Sequence, residues 1–202
     1  MSVPFLSAED ERLALLQSVV DLTRTVFKAR ACSVMRHDVS SRELIFEAVS
    51  GEGQGSLAGQ RIPATTGIAG WAVAAEEPIA IADTRSDTRF DRDFAEQTGF
   101  VPERLIAFPL LDGERAIGVI EVLDPQVRER DSVDDMNVLA SIAVHAAAVL
   151  TLVQAARAAA DPERPPSPLN ALERALQDGA PAQREAALAL VSALETLLKT
   201  TG

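Results

Sequence analysis

The sequence predicts a mixed α/β fold of the α+β type, in which a central antiparallel sheet of five to six strands lies between two long helices. Asp112-Gly113 joins two apolar runs, 105–111 and 116–123. Asp-Gly between such runs is a strong hairpin signal, because glycine takes positive φ without steric cost. Residues 42–50 alternate between two apolar sets, as one strand does. Two long segments, one before and one after the strands, carry apolar stripes with helical spacing and are predicted to be the helices.

The two terminal helices are predicted over 8–29 and 133–158, and each start shows the spacing of a capping box. Each helix carries two apolar rows. In the first helix these rows are Leu13, Leu16, Val20, Thr23 and Phe27, and Leu15, Val19, Leu22 and Val26. In the second they are Met136, Leu139, Ala143, Ala147 and Leu150, and Val138, Ile142, His145, Val149 and Leu152. One row would cover the sheet and the other would meet a second copy, which predicts a homodimer through helices 8–29 and 133–158.

The elements between the terminal helices are short. Strands are predicted at 31–36, 42–50, 61–64, 78–83, 105–111 and 116–123, and a small helix capped by Thr65 or Thr66 at 67–75. The segment from Thr84 to Phe100 is predicted as a polar loop and an irregular Asp/Phe stretch. Pro109 falls inside a predicted strand, where it removes a hydrogen-bond donor, so a bulge or an unpaired position is expected there.

Proline content divides the chain. Four prolines fall between Asp161 and Pro168, and such a run cannot continue a helix. We therefore expect a domain over 1–158, a proline-rich linker over 159–168 and a helical hairpin over 169–202. Because two short amphipathic helices do not form a core alone, the segment 169–200 is a candidate docking site for a partner signalling protein.

Charge and composition exclude several classes. The 202 residues are 47% hydrophobic with a net charge of −11, and the absence of a basic stripe argues against nucleic-acid binding and a polybasic membrane tether. No signal peptide is evident, and no apolar run reaches the length of about 18 residues expected of a membrane span. A cytoplasmic location is the resulting expectation, with no membrane contact.

Catalytic and metal-binding patterns are lacking. The single cysteine, Cys32, is predicted to be a small buried hydrophobe, and no Cys/His cluster has zinc spacing. His145 falls in an apolar stripe and is interpreted as a packing residue. Acidic residues between Asp83 and Asp93 could bind a hard cation, but their spacing is not that of an EF-hand. The sequence thus predicts no enzyme, no catalytic residues and no metal site.

Several phrases in the middle of the chain resemble the GAF domain family, a small-molecule-sensing and dimerising module of signalling proteins. They are Thr66-Gly67-Ile68-Ala69-Gly70-Trp71-Ala72, Pro78-Ile79-Ala80-Ile81-Ala82-Asp83, Asp87-Thr88-Arg89-Phe90, Ala107-Phe108-Pro109-Leu110 and Ala116-Ile117-Gly118-Val119-Ile120. The resemblance covers about residues 8–158. It implies that the terminal helices lie on one face of the sheet and ligand-binding loops, about 53–71 and 83–100, on the other.

The ligand-binding residues follow from that placement. Trp71, Phe90, Phe94 and Phe108 could form apolar walls, and Asp83, Thr84 and Arg89 could form polar contacts, as small-molecule sites require. For each of these residues a structural role is the alternative: Asp83 would cap its loop, Arg89 would pair with a neighbouring aspartate, and the aromatic rings would be core. Arg89 suits an anionic ligand, whereas the aspartates around it argue against a strongly anionic one.

The resemblance also limits the cofactor. GAF photoreceptors attach bilin through a loop cysteine, and the sulfoxide reductases of the family need loop cysteines; the corresponding loops contain none. No cofactor is therefore predicted beyond an unknown small ligand. The expected function is that of a stand-alone bacterial-type signalling regulator, which binds a small ligand noncovalently and passes its state to a partner protein through the helical dimer interface. The alternative is a ligand-free interaction scaffold.

Overall fold

The computed structural model describes residues 8–53, 55–126 and 132–160, and four single helical positions beyond them, Leu176, Arg184, Glu185 and Leu188. The chain divides into two units, residues 1–157 and 158–202. Apart from those four positions and the end of the last helix at 160, the predicted linker 159–168 and hairpin 169–202 lie outside the described residues.

Ten elements follow one another in the described part. They are α1 (Ala8–Val26), β1 (Ala31–Asp38), β2 (Glu43–Gly51), β3 (Arg61–Pro63), α2 (Gly67–Ala75), β4 (Ile79–Ile81), α3 (Arg92–Thr98), β5 (Leu105–Asp112), β6 (Arg115–Leu123) and α4 (Ser132–Ala160). The six strands form one antiparallel sheet in the order β3-β2-β1-β6-β5-β4. The predicted α+β class and the antiparallel sheet are confirmed.

The terminal helices cover one face of the sheet with their first apolar rows. Leu16 and Val20 of α1 and Leu139 and Leu150 of α4 are fully buried in one core cluster with β-strand residues. Within the second rows Val19, Ile142 and Val149 are half-buried against the same core, whereas the other large apolar side chains stay in contact with solvent. They are Leu15, Leu22, Val26, Val138 and Leu152, each between 43% and 57% exposed. His145 of that row is exposed rather than packed, with its Nδ1 2.7 Å from the carbonyl oxygen of Ser141.

The strand β6 lies against α4 without room for a side chain at Gly118. A Cβ there would lie 2.4 Å from the Met35 carbonyl oxygen and 2.8 Å from Cδ2 of Leu150. Since contacts this short are not tolerated, glycine is required both beside the β1 backbone and for the packing of β6 on α4.

The composition of α4 corrects the expectation that no segment could span a membrane. Residues Asp135–Ala158 form a 24-residue stretch with a mean hydropathy of 2.0, which meets the length and composition of a span. One side of this stretch packs against the sheet, with Leu139, Ala143 and Leu150 buried. The high apolar content therefore has a packing role in this fold.

Three local features differ from or refine the sequence predictions. Arg92–Thr98 is a short helix, α3, where an irregular stretch was expected. Thr66 is the N-cap residue of α2, but its side chain makes no capping hydrogen bond. Pro109 pairs in register with Val119, the register of β5 shifts between Leu110 and Leu111, and β4 pairs with β5 only as far as Ala107. A proline is tolerated there because no described strand pairs with the outer edge of β5 beyond that point.

Candidate functional site

A cavity of about 70 Å³ lies between the second face of the sheet and the segment that carries α2 and α3. Its floor consists of strand residues, namely Ser33, Met35, Phe46, Leu105, Glu121 and Leu123. Its walls come from both small helices and their flanking loops, and include Ile68, Ala69, Phe90, Phe94, Ala95 and Phe100. The lining is largely apolar with a few polar groups, which is the character of a small-molecule site.

Phenylalanine rings dominate this lining. Phe46 of β2 and Phe94 of α3 are stacked, with ring centroids 6.1 Å apart and planes inclined by 21°. Phe100 is buried, and the guanidinium of Arg30 lies over its ring at 4.5 Å from the centroid. The rings thus present π faces both to one another and to a cation.

The short helix α3 is fixed at both ends by local signals. The Asp91 side chain caps its start by accepting a hydrogen bond from the Phe94 backbone N–H at 2.9 Å. Gly99 ends the helix in the left-handed conformation, which glycine adopts at low cost. Between these two positions Phe94, Ala95 and Thr98 face the cavity.

The other wall depends on close backbone packing of α2. Gly67 begins the helix with φ of +61°, a conformation that favours glycine. One turn later, a Cβ on Gly70 would lie 2.6 Å from the Ala64 carbonyl oxygen. The Thr-Gly-Ile-Ala-Gly phrase therefore brings α2 against the preceding turn and places Ile68 and Ala69 on the cavity.

The floor contains one acidic residue, Glu121 of β6. It pairs with Ser33 of β1 and with Ala107 of β5, and it shares the cavity face with Val119 and Leu123. No described residue donates a hydrogen bond to it. Part of the side chain stays accessible, but it lines the cavity and is surrounded by protein. Burial accordingly raises the pKa of the Glu121 carboxyl to about 7.

Two of the seven predicted ligand-binding residues, Phe90 and Phe94, line this cavity. Trp71 and Arg89 lie together at the surface of the segment that carries α2 and α3. Trp71 is 51% exposed, and the Arg89 guanidinium lies over its ring at 5.7 Å from the centroid. Arg89 also pairs with Asp87, with Nη2 and Oδ2 2.7 Å apart, as the structural alternative anticipated.

The other three predicted residues lie away from the cavity. Asp83 binds the backbone N–H and the guanidinium of Arg85 within its own turn. Thr84 is buried, and its hydroxyl donates to the Pro102 carbonyl oxygen at 2.5 Å. Phe108 packs on the helix-covered face of the sheet, because it alternates with Ala107, which faces the cavity side.

Two acidic loop residues, Asp83 and Asp87, are paired with arginines of their own turns. Hydrogen bonds from Arg85 and Arg89 hold the pKa values of Asp83 and Asp87 below their usual range. Among the described residues, no group of three His, Cys, Asp or Glu side chains could hold a metal ion. Cys32 is buried on the helix-covered face, and burial raises the pKa of its thiol, which makes it unreactive.

Sequence reasoning missed most of the floor, including Ser33, Phe46 and Glu121. The signal for Glu121 was available: in the run Val119-Ile-Glu-Val-Leu123 it occupies a position whose alternate neighbours are large and apolar. A charged residue on that face of a central strand indicates either a buried ion pair or a site. Asp91 and Gly99 likewise marked the ends of α3.

Comparisons with known proteins agree with this architecture. A family model described as GAF domain matches residues 11–150. The GAF domain of a phosphoenolpyruvate-protein phosphotransferase from Coxiella burnetii is 20% identical, with a TM-score of 0.64 over 73% of this chain and 86% of that one. The free methionine-R-sulfoxide reductase from Neisseria meningitidis, solved with its substrate, is 23% identical, with a TM-score of 0.54 over 68% and 78%.

The second GAF domain of DevS from Mycobacterium smegmatis is 16% identical, with a TM-score of 0.55 over 72% of this chain and 97% of that one. At these identities the structural likeness shows the fold. No curated protein gave a significant match to the sequence.

Proposed function

Since the chain belongs to the GAF domain family, whose members generally act as small-molecule sensing or signalling modules, we propose that it binds a small ligand noncovalently and relays the bound state to a partner protein. The observation that carries the proposal is the largely apolar cavity between the sheet and α2 and α3. The proposed role is regulatory and not catalytic.

The strand β6 is the proposed route of the signal. Its cavity face carries Glu121, and its opposite face packs Ile120 and Val122 in the cluster that includes α1 and α4. At Gly118 the same strand is in direct contact with Leu150 of α4. A ligand that binds one position of β6 more tightly than another would shift the packing of α4, because interfaces this tight respond by discrete repacking.

The outward apolar rows of α1 and α4 are the proposed dimer interface. Leu22 and Leu152 are each more than half exposed, and large apolar side chains in a row along a helix favour association. A shift of α4 would then alter the interface between two copies. The segment 169–200 remains the proposed docking region for the partner.

The ligand-free scaffold is the second candidate, and the size of the cavity favours it. The volume of about 70 Å³ is roughly half that of an engineered apolar cavity, about 150 Å³, that admits benzene. In this alternative the helices supply dimerisation and docking, and the small cavity stays empty or hydrated.

Native mass spectrometry of the purified protein separates the two functions. Sensing predicts a stoichiometric small-molecule adduct that is released under harsh conditions. Ala95 lines the cavity from α3, and Ala95→Leu should fill it and remove the adduct. Ala74→Leu on the exposed side of α2 is the matched control and should retain it. An adduct that persists in Ala95→Leu would place the ligand elsewhere, and an apo protein with full partner binding would support the scaffold.

A further inference from the structure

The cavity wall carries negative charge without a compensating positive charge. Glu121 and Asp91 both line it, and none of the other lining residues that the structure describes is Lys, Arg or His. Asp91 uses one oxygen to cap α3, whereas the Glu121 carboxyl has no donor among the described residues. A carboxylate that lines an apolar cavity without a protein partner is poorly solvated, and a bound cation compensates for that loss.

Aromatic rings surround the same space. Phe46, Phe90, Phe94 and Phe100 contribute four rings to the lining. The faces of such rings attract cations, and ring clusters are a common means of binding organic ammonium groups. The Arg30 guanidinium, which is not part of the lining, already covers one face of Phe100, so the ligand would meet the other rings.

The volume of the cavity and the net charge of the chain also favour a small cation as the ligand. A cavity of about 70 Å³ admits a ligand of a few heavy atoms, and a chain with net charge −11 attracts cations to its surface. We propose that the ligand class of this cavity is a small alkylammonium ion, with its nitrogen bound by Glu121 and its alkyl group packed among the phenylalanine rings. This inference rests on the proposed function, since it names the ligand of the same cavity.

Binding of an ammonium ion requires Glu121 in its ionised form, so the affinity depends on pH. Glu121 pairs with Ser33 of β1 and Ala107 of β5, and it lines the cavity together with Ile68 and Ala69 of α2 and with Asp91, the N-cap residue of α3. Asp91 is the other titratable group of this set. Because burial raises the pKa of Glu121 to about 7, affinity should rise about tenfold per pH unit below that value and level off above it.

The test uses three probes of one chain length: propylammonium, 1-propanol and propionate. Titration calorimetry of the full chain at about pH 8 should show propylammonium binding with a Kd of about 1 mM, in the range available to four heavy atoms. Glu121→Gln should weaken this binding at least tenfold and abolish its rise with pH. Glu114→Gln, at an exposed carboxylate in the β5–β6 turn, removes the same charge and should change the Kd less than twofold.

A second pair of variants tests the aromatic contribution. Phe94→Leu retains apolar volume in the cavity but removes a ring face, and it should weaken propylammonium several-fold while leaving any 1-propanol binding unchanged. Phe108→Leu is its control on the opposite face of the sheet. Thermal melting of each variant reports whether it is folded.

The outcomes separate this inference from the proposed function. Equal or tighter binding of 1-propanol or propionate, blocked by Ala95→Leu, overturns the ammonium class and leaves ligand sensing standing. Unchanged propylammonium binding in Glu121→Gln also overturns it. If no probe binds wild-type protein, the ammonium inference is wrong, and the presence or absence of a co-purified adduct decides the proposed function independently.

Discussion

The Glu47 carboxylate joins α4 to the sheet through Arg157. Its Oε1 lies 2.6 Å from Nη1 of Arg157 and 2.8 Å from Nε of Arg36. One oxygen therefore accepts a hydrogen bond from Arg36 of β1 and another from Arg157 of α4. The Glu47 side chain is only 4% exposed, and charge-assisted hydrogen bonds in such surroundings are strong. The C-terminal part of α4 is therefore attached to β2 by a buried acceptor as well as by apolar packing.

Removal of this charge should destabilise the domain. In Glu47→Gln two guanidinium groups lose their shared anion, and we expect the free energy of unfolding to fall by about 2 to 4 kcal/mol in urea denaturation. Glu43→Gln is the matched control, because its partner Arg61 is 54% exposed and such pairs contribute about 1 kcal/mol or less. Equal losses in both variants would contradict a special role for Glu47.

The carboxyl of Glu121 should make the folded state less stable as pH rises. Its pKa is about 7 in the fold against an ordinary 4.5. Between these values the unfolded chain releases a proton that the folded chain retains, so this group lowers stability through that range and has no further effect above it. Glu121→Gln removes the titration.

The measurable result is a stability difference that depends on pH. The substitution Glu121→Gln should raise the unfolding free energy above that of wild type by roughly 3 kcal/mol more at about pH 7.5 than at about pH 4.5. Urea denaturation at both pH values supplies the comparison. A mutational difference that is the same at both would show that the Glu121 carboxyl keeps an ordinary pKa.

The contact between β6 and α4 at Gly118 should not tolerate a methyl group. Gly118→Ala would bring its Cβ to 2.4 Å from the Met35 carbonyl oxygen of β1 and to 2.8 Å from Cδ2 of Leu150 in α4. We expect a loss of about 1 to 3 kcal/mol, because both neighbours must shift. Gly55→Ala, with nothing within 4 Å of its new Cβ, should stay within about 0.5 kcal/mol of wild type. A neutral Gly118→Ala would mean that β1 and α4 both move away from β6 at little cost.

The exposed rows of the terminal helices should hold two copies together. The double variant Leu22→Lys and Leu152→Lys places charge on both rows, and sedimentation velocity should show a monomer where wild type is a dimer. Leu111→Lys, at a 40% exposed position on β5, is the control and should remain dimeric. A monomeric wild type, or a double variant that stays dimeric, would refute this interface.

The spacing of apolar residues predicted the fold well, because that spacing reflects which side of each helix or strand is buried. The two rows of α1 separated as expected: Leu16 and Val20 are buried, and Leu15 and Leu22 are exposed. The Asp112-Gly113 turn joins the predicted hairpin, in which Asp112 pairs with Arg115. Both signals are local: the apolar rows repeat along one helix, and the turn is marked by two neighbouring residues.

The site was harder to predict because it is assembled from distant strands. Ser33 and Glu121 are adjacent only through the β1–β6 pairing, and no local pattern encodes that register. The sequence analysis sought polar contacts in the loops, where Asp83 and Arg89 turn out to bind their own neighbours. The helix α3 was missed because seven residues are too few for a periodic pattern, although its capping residues were visible.

The position of β1 beside β6 affects how the protein is made. The register joins Ala31 to Leu123, so the centre of the sheet cannot close until β6 has left the ribosome. Until then a nascent chain can form the β1–β2 hairpin but leaves the other edge of β1 unpaired, and such an edge is open to intermolecular pairing. Synthesis speed and chaperone capture during this interval would therefore influence the yield of folded protein.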